Sequence, residues 1–555
     1  MKQLLAKHHR ILFYGLWILL GLLQAGLTEL QDDEAYYWVF SRYLDWGYFD
    51  HPPMTALLVK AGYAIFPNEL GVRLFPLLLN VLSLAIIEQL TEKKNPFLFY
   101  AIALSMAVIQ LMGFVAVPDI PLIFFTALFF WCYKKFTSTP SMLHSILLGL
   151  SVTFLLYSKY HAVLIVFFTL LSNIRLFTRY QLYVAGAIAL VLFFPHLWWQ
   201  YQHDWVSFRY HLFESNVNAY KFSFTTDYVF GQLLLAGPVA GFILLPAALL
   251  YKPVTATERA LRFTMIGVYC FFLLSSFRGK VEGNWTSPAL VAVIILAHQY
   301  LNDKLLWQKW LYRLLPVTFL LVLFGRVIMI VDVLPVKAIQ QRYHAWKNWP
   351  TEMREKTKGL PVVFSNSYQR ASKYWFYSGQ MTYSLNLFKE RRNNYNFWPV
   401  EDSLLGKPVY FLDIWNLWRF ADSMKTPIGY VGYQFDSSFI AYSRINLVPA
   451  AKKITIKQGE ELKLSCEVVV PDHYQKYIEQ SQPDDDTLRI GLFKNGKWMR
   501  DIFTGIRLKD ALPQKSISLT INPALGPGRY FLRFAINHRF YHPTHNSEKI
   551  ELVVN

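Results

Sequence analysis

Residues 11–38 read ILFYGLWILLGLLQAGLTELQDDEAYYW. The run from Ile11 to Leu27 carries no charge, and roughly 17–25 apolar residues are what a helix needs to cross a hydrocarbon core. Asp32, Asp33 and Glu34 follow almost at once. Adjacent carboxylates repel one another, so an acidic cluster at a membrane boundary needs a cause. The apolar run is not isolated: LFPLLLNVLSLAII (74–87) and others repeat it. With 54% hydrophobic residues and a mean hydropathy of +0.24, the chain is more apolar than a soluble protein and reads as a polytopic α-helical membrane protein.

About eleven spans are expected, at roughly 11–27, 71–91, 97–115, 120–134, 142–157, 160–174, 181–198, 229–250, 261–277, 286–300 and 313–331. If the N-terminus is cytoplasmic, the inner loops hold about fifteen Lys and Arg and the outer loops about seven in more sequence. That asymmetry follows the positive-inside rule. It predicts an inside N-terminus, and the odd span count places the tail outside, which in a bacterial inner membrane is the periplasm. MKQLLAKHHR before the first span resembles a signal sequence. No small-residue cleavage site precedes the acidic cluster, so that span is read as retained. The formal charge of +18 is spread over short loops, which points to topology and anionic lipid head groups rather than to nucleic acid. Cys132 and Cys270 lie in apolar runs and Cys466 stands alone in the tail, so no disulfide framework is implied.

On this topology the acidic cluster faces outward. So do Asp119 in VPDIP (117–121), Lys159 in YSKYH (157–161), and Arg278, Lys280 and Glu282 in FRGKVEGNW (277–285). Acids and bases from separated stretches thus converge on one face. An ionisable group near membrane depth costs several kcal/mol unless it faces a cavity or a partner, and convergence on one face favours an external catalytic cavity over ordinary interfacial loops. Each residue also has a plainer reading. Asp32 and Asp119 can cap helix N-termini, and Lys159 can snorkel. The segment from Glu34 to Pro67 is rich in Tyr, Trp and Phe and too polar to span. It is read as two short amphipathic helices on the outer leaflet, separated by an extended break at HPPM (51–54).

Three parts are therefore expected: a membrane domain over 1–333, a periplasmic α/β domain over 334–446 and a periplasmic β-sandwich over 447–555. LPVVFSNSYQRASKYWFYSG (360–379) reads as strand, loop and helix, and KPVYFLDIW (407–415) and SSFIAYSRINLV (437–448) as strands. Beyond them, alternating runs punctuated by Asn495-Gly496 and Gly526-Pro527-Gly528 favour antiparallel pairing.

DDEAYYW (32–38), GYFDHPPM (47–54), VPDIPLIFF (117–125), YSKYHAVLI (157–165), PHLWWQYQHDWVSFRYH (195–211) and KVEGNW (280–285) occur in this order. Together they resemble the bacterial polyprenyl-phosphate-sugar-dependent membrane glycosyltransferases of GT-C type, the superfamily of the aminoarabinose transferases and protein O-mannosyltransferases. The resemblance covers about residues 10–330, and SYQRASKYWFYSGQ (367–380) with RRNNYNFW (391–398) extends it to about 400. It implies a GT-C-like fold and inverting transfer of a sugar from an undecaprenyl-phosphate-type donor to lipid A, another envelope glycolipid or a secreted protein. A polyprenyl phosphate leaves as an anion, so the chemistry asks for a carboxylate base at the acceptor hydroxyl and for cations at the phosphate.

By resemblance Asp33 is the base or acceptor-orienting carboxylate, with Glu34 and Asp119 as further catalytic acids. Lys159, Arg278, Lys280 and His51 are expected at the donor phosphate. Asp50-His51 stands where the aminoarabinose transferases have a Glu-Lys pair before two prolines, and the histidine weakens the phosphate assignment there. Asp32, Asp50, Glu282, Asn284, Trp285 and Tyr368 are expected along the substrate groove. Asp32, Asp33 and Asp119 offer hard oxygen ligands for magnesium or manganese, but the resemblance requires no cofactor and the metal stays open. The reading from another class is a flippase of lipid-linked sugars. It would place charges along a central path with symmetry between halves, and no such symmetry is legible in this chain.

Overall fold

The computed structural model describes residues 2–214, 220–420, 422–481, 486–538 and 541–555. They form two units, Met1–His344 and Ala345–Asn555. The first is helical. Its chain begins with α1 (Lys2–Leu27), α2 (Asp32–Arg42), α3 (Met54–Ile65), α4 (Glu69–Leu90), α5 (Pro96–Ser105), α6 (Ala107–Leu111), α7 (Asp119–Ser138), α8 (Met142–Ser158), α9 (Ala162–Leu171) and α10 (Tyr180–Gln202).

Among the described residues, six helices are long and apolar enough to cross a membrane: Lys7–Leu27, α4, α7, α10, Ala256–Ser276 and Leu305–Ile330. Leu190, Val191 and Phe194 on α10 stand exposed, as side chains facing acyl chains do. The remaining expected spans fall on different structures. The segment 229–250 is two helices, Phe222–Ala236 and Gly241–Leu250, bent by 94°. Gly237, at φ +141°, adopts a conformation that L side chains rarely reach, and Pro238 next to it offers no amide to carry the ladder across. The segment 97–115 is divided between α5 and α6 at Met106, and 142–157, 160–174 and 286–300 correspond to the shorter helices α8, α9 and Ala289–Asn302. That last helix is buried from Ala289 to His298, as expected of a helix apolar on all sides.

The region after the acidic cluster differs from a pair of surface helices. Both helices form, as α2 and α3. Yet Tyr36, Tyr37, Trp38 and Phe40 of α2 are buried within the protein, so these aromatics pack a core instead of lying against lipid. Tyr48 stacks on Phe40 at 4.1 Å between ring centroids and donates to the Phe40 carbonyl, folding the 43–51 turn back onto α2.

In the second unit, β1 (Val362–Ser365), β2 (Thr382–Leu385), β3 (Val409–Asp413), β4 (Asp422–Thr426) and β5 (Gly429–Asp436) form a sheet ordered β2-β1-β3-β5-β4. The pairs β2–β1 and β1–β3 are parallel, and the crossover between β1 and β2 is the helix Tyr368–Ser378. The chain continues through β6 (Asn446–Pro449), β7 (Lys453–Ile456), β8 (Leu462–Val469), β9 (Thr487–Lys494), β10 (Lys497–Arg507), β11 (Ser516–Ile521), β12 (Gly528–Asn537) and β13 (Ile550–Val554). These build the sheets β10-β9-β12-β13-β7 and β11-β8-β6. Their inner faces share one core that includes Leu464, Cys466, Ile490, Leu492, Leu532 and Phe534. Burial alternates residue by residue along β8, the period-2 signature of a strand with one face inward. Asn495 and Gly496, both at positive φ, make the tight β9–β10 hairpin. One expected strand is mostly absent: of Ser437–Val448 only the end is extended, as part of β6, which pairs with β8.

Candidate functional site

The acidic cluster has two different fates. Asp32 and Asp33 are exposed at the N-terminus of α2, whereas Glu34 is buried. Glu34 is taken up by structure. Its Oε1 accepts from Arg73 Nε at 2.8 Å and from the Ala116 amide at 2.9 Å. Its Oε2 accepts from Arg73 Nη2 at 2.6 Å and from the Gln31 amide at 2.9 Å. Arg73, fully buried near the start of α4, spends its other donors on the carbonyls of Ala25, Thr28 and Glu29. The end of α1, the start of α2, α4 and the turn before α7 are thereby tied to one guanidinium–carboxylate pair. Both carboxylate oxygens of Glu34 are thus occupied within the protein, which its expected role beside Asp33 and Asp119 as a catalytic acid would not suggest. Its position has a geometric consequence: the exposed Asp33 is the preceding residue, and Asp119 lies three residues beyond Ala116.

Asp119 opens α7 and is buried. Its Oδ1 accepts from Lys159 Nζ and from Ser287 Oγ, each at 2.8 Å, and its Oδ2 accepts from Asn284 Nδ2 at 2.8 Å. Three residues expected from the sequence, Asp119, Lys159 and Asn284, therefore meet, and Ser287 joins them. Lys159 is the buried residue that ends α8. Nearby, the His161 ring lies 5.7 Å from that of Trp285 and 5.1 Å from Phe272.

A hydrogen-bond chain holds the turn carrying Asp50 and His51 against this pair. His196 Nδ1 lies 2.7 Å from the Trp46 carbonyl, so that nitrogen donates and Nε2 is left to accept from Tyr160 OH at 3.2 Å. Gln200 Nε2 donates to Tyr160 OH and to Ser207 Oγ. Ser207 in turn donates to the Tyr48 carbonyl. His211 Nε2 donates to the Asp50 carbonyl at 2.9 Å, and Trp199 Nε1 to Asp45 Oδ2 at 2.8 Å. The segment 195–211 thus acts as a frame for the 45–51 turn. The turn leaves no spare room: a Cβ on Gly47 would come within 2.4 Å of the Trp199 ring. Gly47→Ala is therefore expected to displace Trp199 and to lower stability by about 1–3 kcal/mol, read as a lower melting temperature of the purified protein.

His51 lies within electrostatic reach of Asp50, Lys159, His211 and Asp119. Burial pushes its pKa down to about 4, so the imidazole is neutral at pH 7 in the ligand-free protein. Other expected residues have partners of their own. Lys280 pairs with Glu282 at 2.9 Å on an exposed surface, and the exposed Arg278 donates to the Leu212 carbonyl. Tyr368 belongs to the second unit, where its hydroxyl accepts from Arg391. Among the described residues no group of three or more His, Cys, Asp or Glu is placed to hold a metal ion, and Asp32, Asp33 and Asp119 are not brought together as one such group. Arg73, Ser287, His161, His196 and Gln200 were not singled out from the sequence. Arg73 alone had a clear signal, a charge near the end of an apolar span.

Comparison with known proteins agrees with the motif-based resemblance. Residues 50–199 match the model of the dolichyl-phosphate-mannose-protein mannosyltransferase family, a stretch that runs from Asp50 past Asp119, Lys159 and His196. The lipid A galacturonosyltransferase RgtD of Rhizobium johnstonii is 26% identical over 320 residues, covering 54% of this chain and 65% of the relative. Two crystal structures of ArnT from Cupriavidus metallidurans superpose on it. The apo form has a TM-score of 0.58 at 11% identity, and the form bound to undecaprenyl phosphate 0.55 at 12%. Each alignment covers 77% of this chain and 98% of ArnT. The chain is a multi-pass membrane protein with the GT-C-type fold of ArnT and a β-rich region at its C-terminal end.

Proposed function

We propose that this protein is an inverting glycosyltransferase that moves a sugar from an undecaprenyl-phosphate-type donor to lipid A or a related envelope glycolipid. It works at the periplasmic face of the bacterial inner membrane, with its N-terminus in the cytoplasm. The observation that carries the reading is the buried Asp119–Lys159 pair, with Asn284 and Ser287 on the same carboxylate, in a fold that ArnT shares. One ArnT structure holds undecaprenyl phosphate, and RgtD is named for transfer to lipid A. The lipid acceptor is preferred on that ground.

In the proposed reaction Asp33 accepts the proton of the acceptor hydroxyl as its oxygen attacks the anomeric carbon. The bond from that carbon to the phosphate oxygen breaks, and polyprenyl phosphate departs as an anion. Lys159, held by Asp119 at the end of α8, lies on the side of the leaving phosphate. A fixed cation there stabilises charge that develops only as the bond breaks, which is where catalysis gains most. Glu34 and Arg73 position Asp33 without touching substrate.

The test is a transfer assay with the purified protein in nanodiscs, a set of undecaprenyl-phosphate sugars, and lipid A or a secreted-protein extract as acceptor. A sugar-sized mass gain on lipid A, with stoichiometric release of undecaprenyl phosphate, is expected. Gain on protein alone would replace the acceptor. No release with any donor, but movement of donor between leaflets, would favour the flippase.

A further inference from the structure

Arg326 lies in the last two turns of the membrane-length Leu305–Ile330 helix. Its Nη2 donates to the Gln110 carbonyl of α6 at 2.8 Å and its Nη1 to the Leu20 carbonyl of α1 at 3.3 Å. Its Nε is buried and has no hydrogen-bond partner among the described residues. Nor does a carboxylate pair with it among them. Arg73 and Lys159 differ, for each meets a carboxylate, Glu34 and Asp119. The plainer role of Arg326 is to staple α1 and α6 to this helix. That role uses two N–H donors and leaves the charge unanswered. Carbonyl dipoles carry no net charge, and a cation near membrane depth is costly until an anion meets it.

The surroundings point to the bilayer as the source of that anion. A helix of 26 residues is about 39 Å long, about 9 Å more than the hydrocarbon core. Arg326 stands four residues from its end, about 6 Å inside, near the level where acyl chains meet head groups. The side chain is half-buried, and its Nη1 lies beside the exposed Leu20. From there Leu20, Leu16 and Leu12 form an exposed stripe along α1, at the four-residue spacing of one helix face. The exposed Leu323 and Phe319, three and seven residues before Arg326, make a second stripe on its own helix. Both stripes run from the guanidinium into the bilayer. The helix Lys337–Tyr343 follows, with Lys337 and Arg342 exposed. His344 Nε2, 2.8 Å from the Ile328 carbonyl, folds it back on this end of the span. Basic residues at the end of a span attract anionic lipids.

We propose that Arg326 seats the phosphate of an anionic diacyl phospholipid, whose chains lie along these two stripes. The guanidinium takes phosphate oxygens through its Nη1 edge, the fork geometry for which Arg is suited. Two apolar stripes flanking one cation fit a lipid with two chains better than the single chain of a polyprenyl phosphate. The bound lipid neutralises a charge that the protein leaves unpaired and closes the junction of α1, α6 and the Leu305–Ile330 helix. It is a structural partner and takes no part in sugar transfer.

The test uses the full-length protein, delipidated in detergent, with phosphatidylglycerol, phosphatidylcholine of the same chains, or undecaprenyl phosphate added. Native mass spectrometry counts the lipid retained. Wild type is expected to prefer phosphatidylglycerol to phosphatidylcholine. Arg326→Met should bind phosphatidylglycerol about fivefold more weakly, the effect of one basic residue on an anionic lipid, with phosphatidylcholine unchanged. Arg326→Lys, which keeps the charge, should retain most of the preference. Equal retention of phosphatidylglycerol by wild type and a folded Arg326→Met protein would overturn the site. So would a wild type that binds the two phospholipids alike. Tighter retention of undecaprenyl phosphate, lost in Arg326→Met, would overturn the phospholipid as occupant and put a polyprenyl lipid in its place. If Arg326→Met does not fold, a photoreactive phosphatidylglycerol crosslinked to wild type decides. Attachment within residues 12–27 and 319–330 is expected, and attachment only elsewhere would overturn the proposal.

Discussion

Arg73→Met is expected to destabilise the membrane unit by about 3–5 kcal/mol, because it leaves the Glu34 carboxylate buried without its counter-ion. The loss reaches beyond the pair. Arg73 also satisfies the carbonyls of Ala25, Thr28 and Glu29, and each orphaned group adds to the cost. The readout is the yield and melting temperature of purified protein. The double variant Glu34→Gln/Arg73→Met separates the two contributions. Removing both charges relieves the unpaired carboxylate, so stability should recover in part, and double-mutant coupling of about 0.5–3 kcal/mol is the expected scale. Activity should not recover with it, because the clamp also fixes the start of α2, where Asp33 stands, against the turn that leads into Asp119. Full recovery of both would reduce the pair to a dispensable structural contact.

Lys159→Met is expected to lower kcat by about 10²–10³-fold, the range for removing one fixed electrostatic stabiliser of a transition state. The substitution keeps the apolar stem and deletes the charge, so loss of packing is small. It also leaves Asp119 buried with Asn284 and Ser287 as its remaining side-chain donors among the described residues, which makes a control necessary. Asp119→Asn/Lys159→Met removes both charges and should regain stability. If transfer stays as slow in the double variant as in Lys159→Met, the lysine acts on the substrate. If transfer returns with stability, the pair is a structural ion pair.

The membrane class and the positions of the long helices were legible because apolar length is a strong local signal. So were β8 and the β9–β10 hairpin, from the alternation in LKLSCEVV and the Asn495-Gly496 turn. The bend at Gly237-Pro238 was readable in principle, but overall apolarity masked a two-residue breaker. The break at Met106 has no Gly or Pro to announce it. The site was legible by residue type and illegible by pairing. Asp119, Lys159 and Asn284 could each be picked out, yet that they share one carboxylate depends on contacts across 40 and 165 positions. Glu34 shows the same limit: it stands beside Asp33 in sequence, yet it is buried and paired with Arg73, 39 positions on. In a helix consecutive residues point about 100° apart, so neighbouring carboxylates need not share a surface.

The most direct measurement is single-turnover transfer by wild type and Asp33→Asn in parallel, with donor and lipid A acceptor pre-bound in nanodiscs. The melting temperature of both proteins is measured in parallel, so that a loss of rate is read apart from a loss of fold. A general base contributes about 10²–10⁴-fold. The expected result is a fall of that size in the rate of undecaprenyl phosphate release, with donor affinity preserved. Equal rates in the two proteins would contradict the assignment of Asp33 as base and with it the mechanism built on the outer acidic cluster.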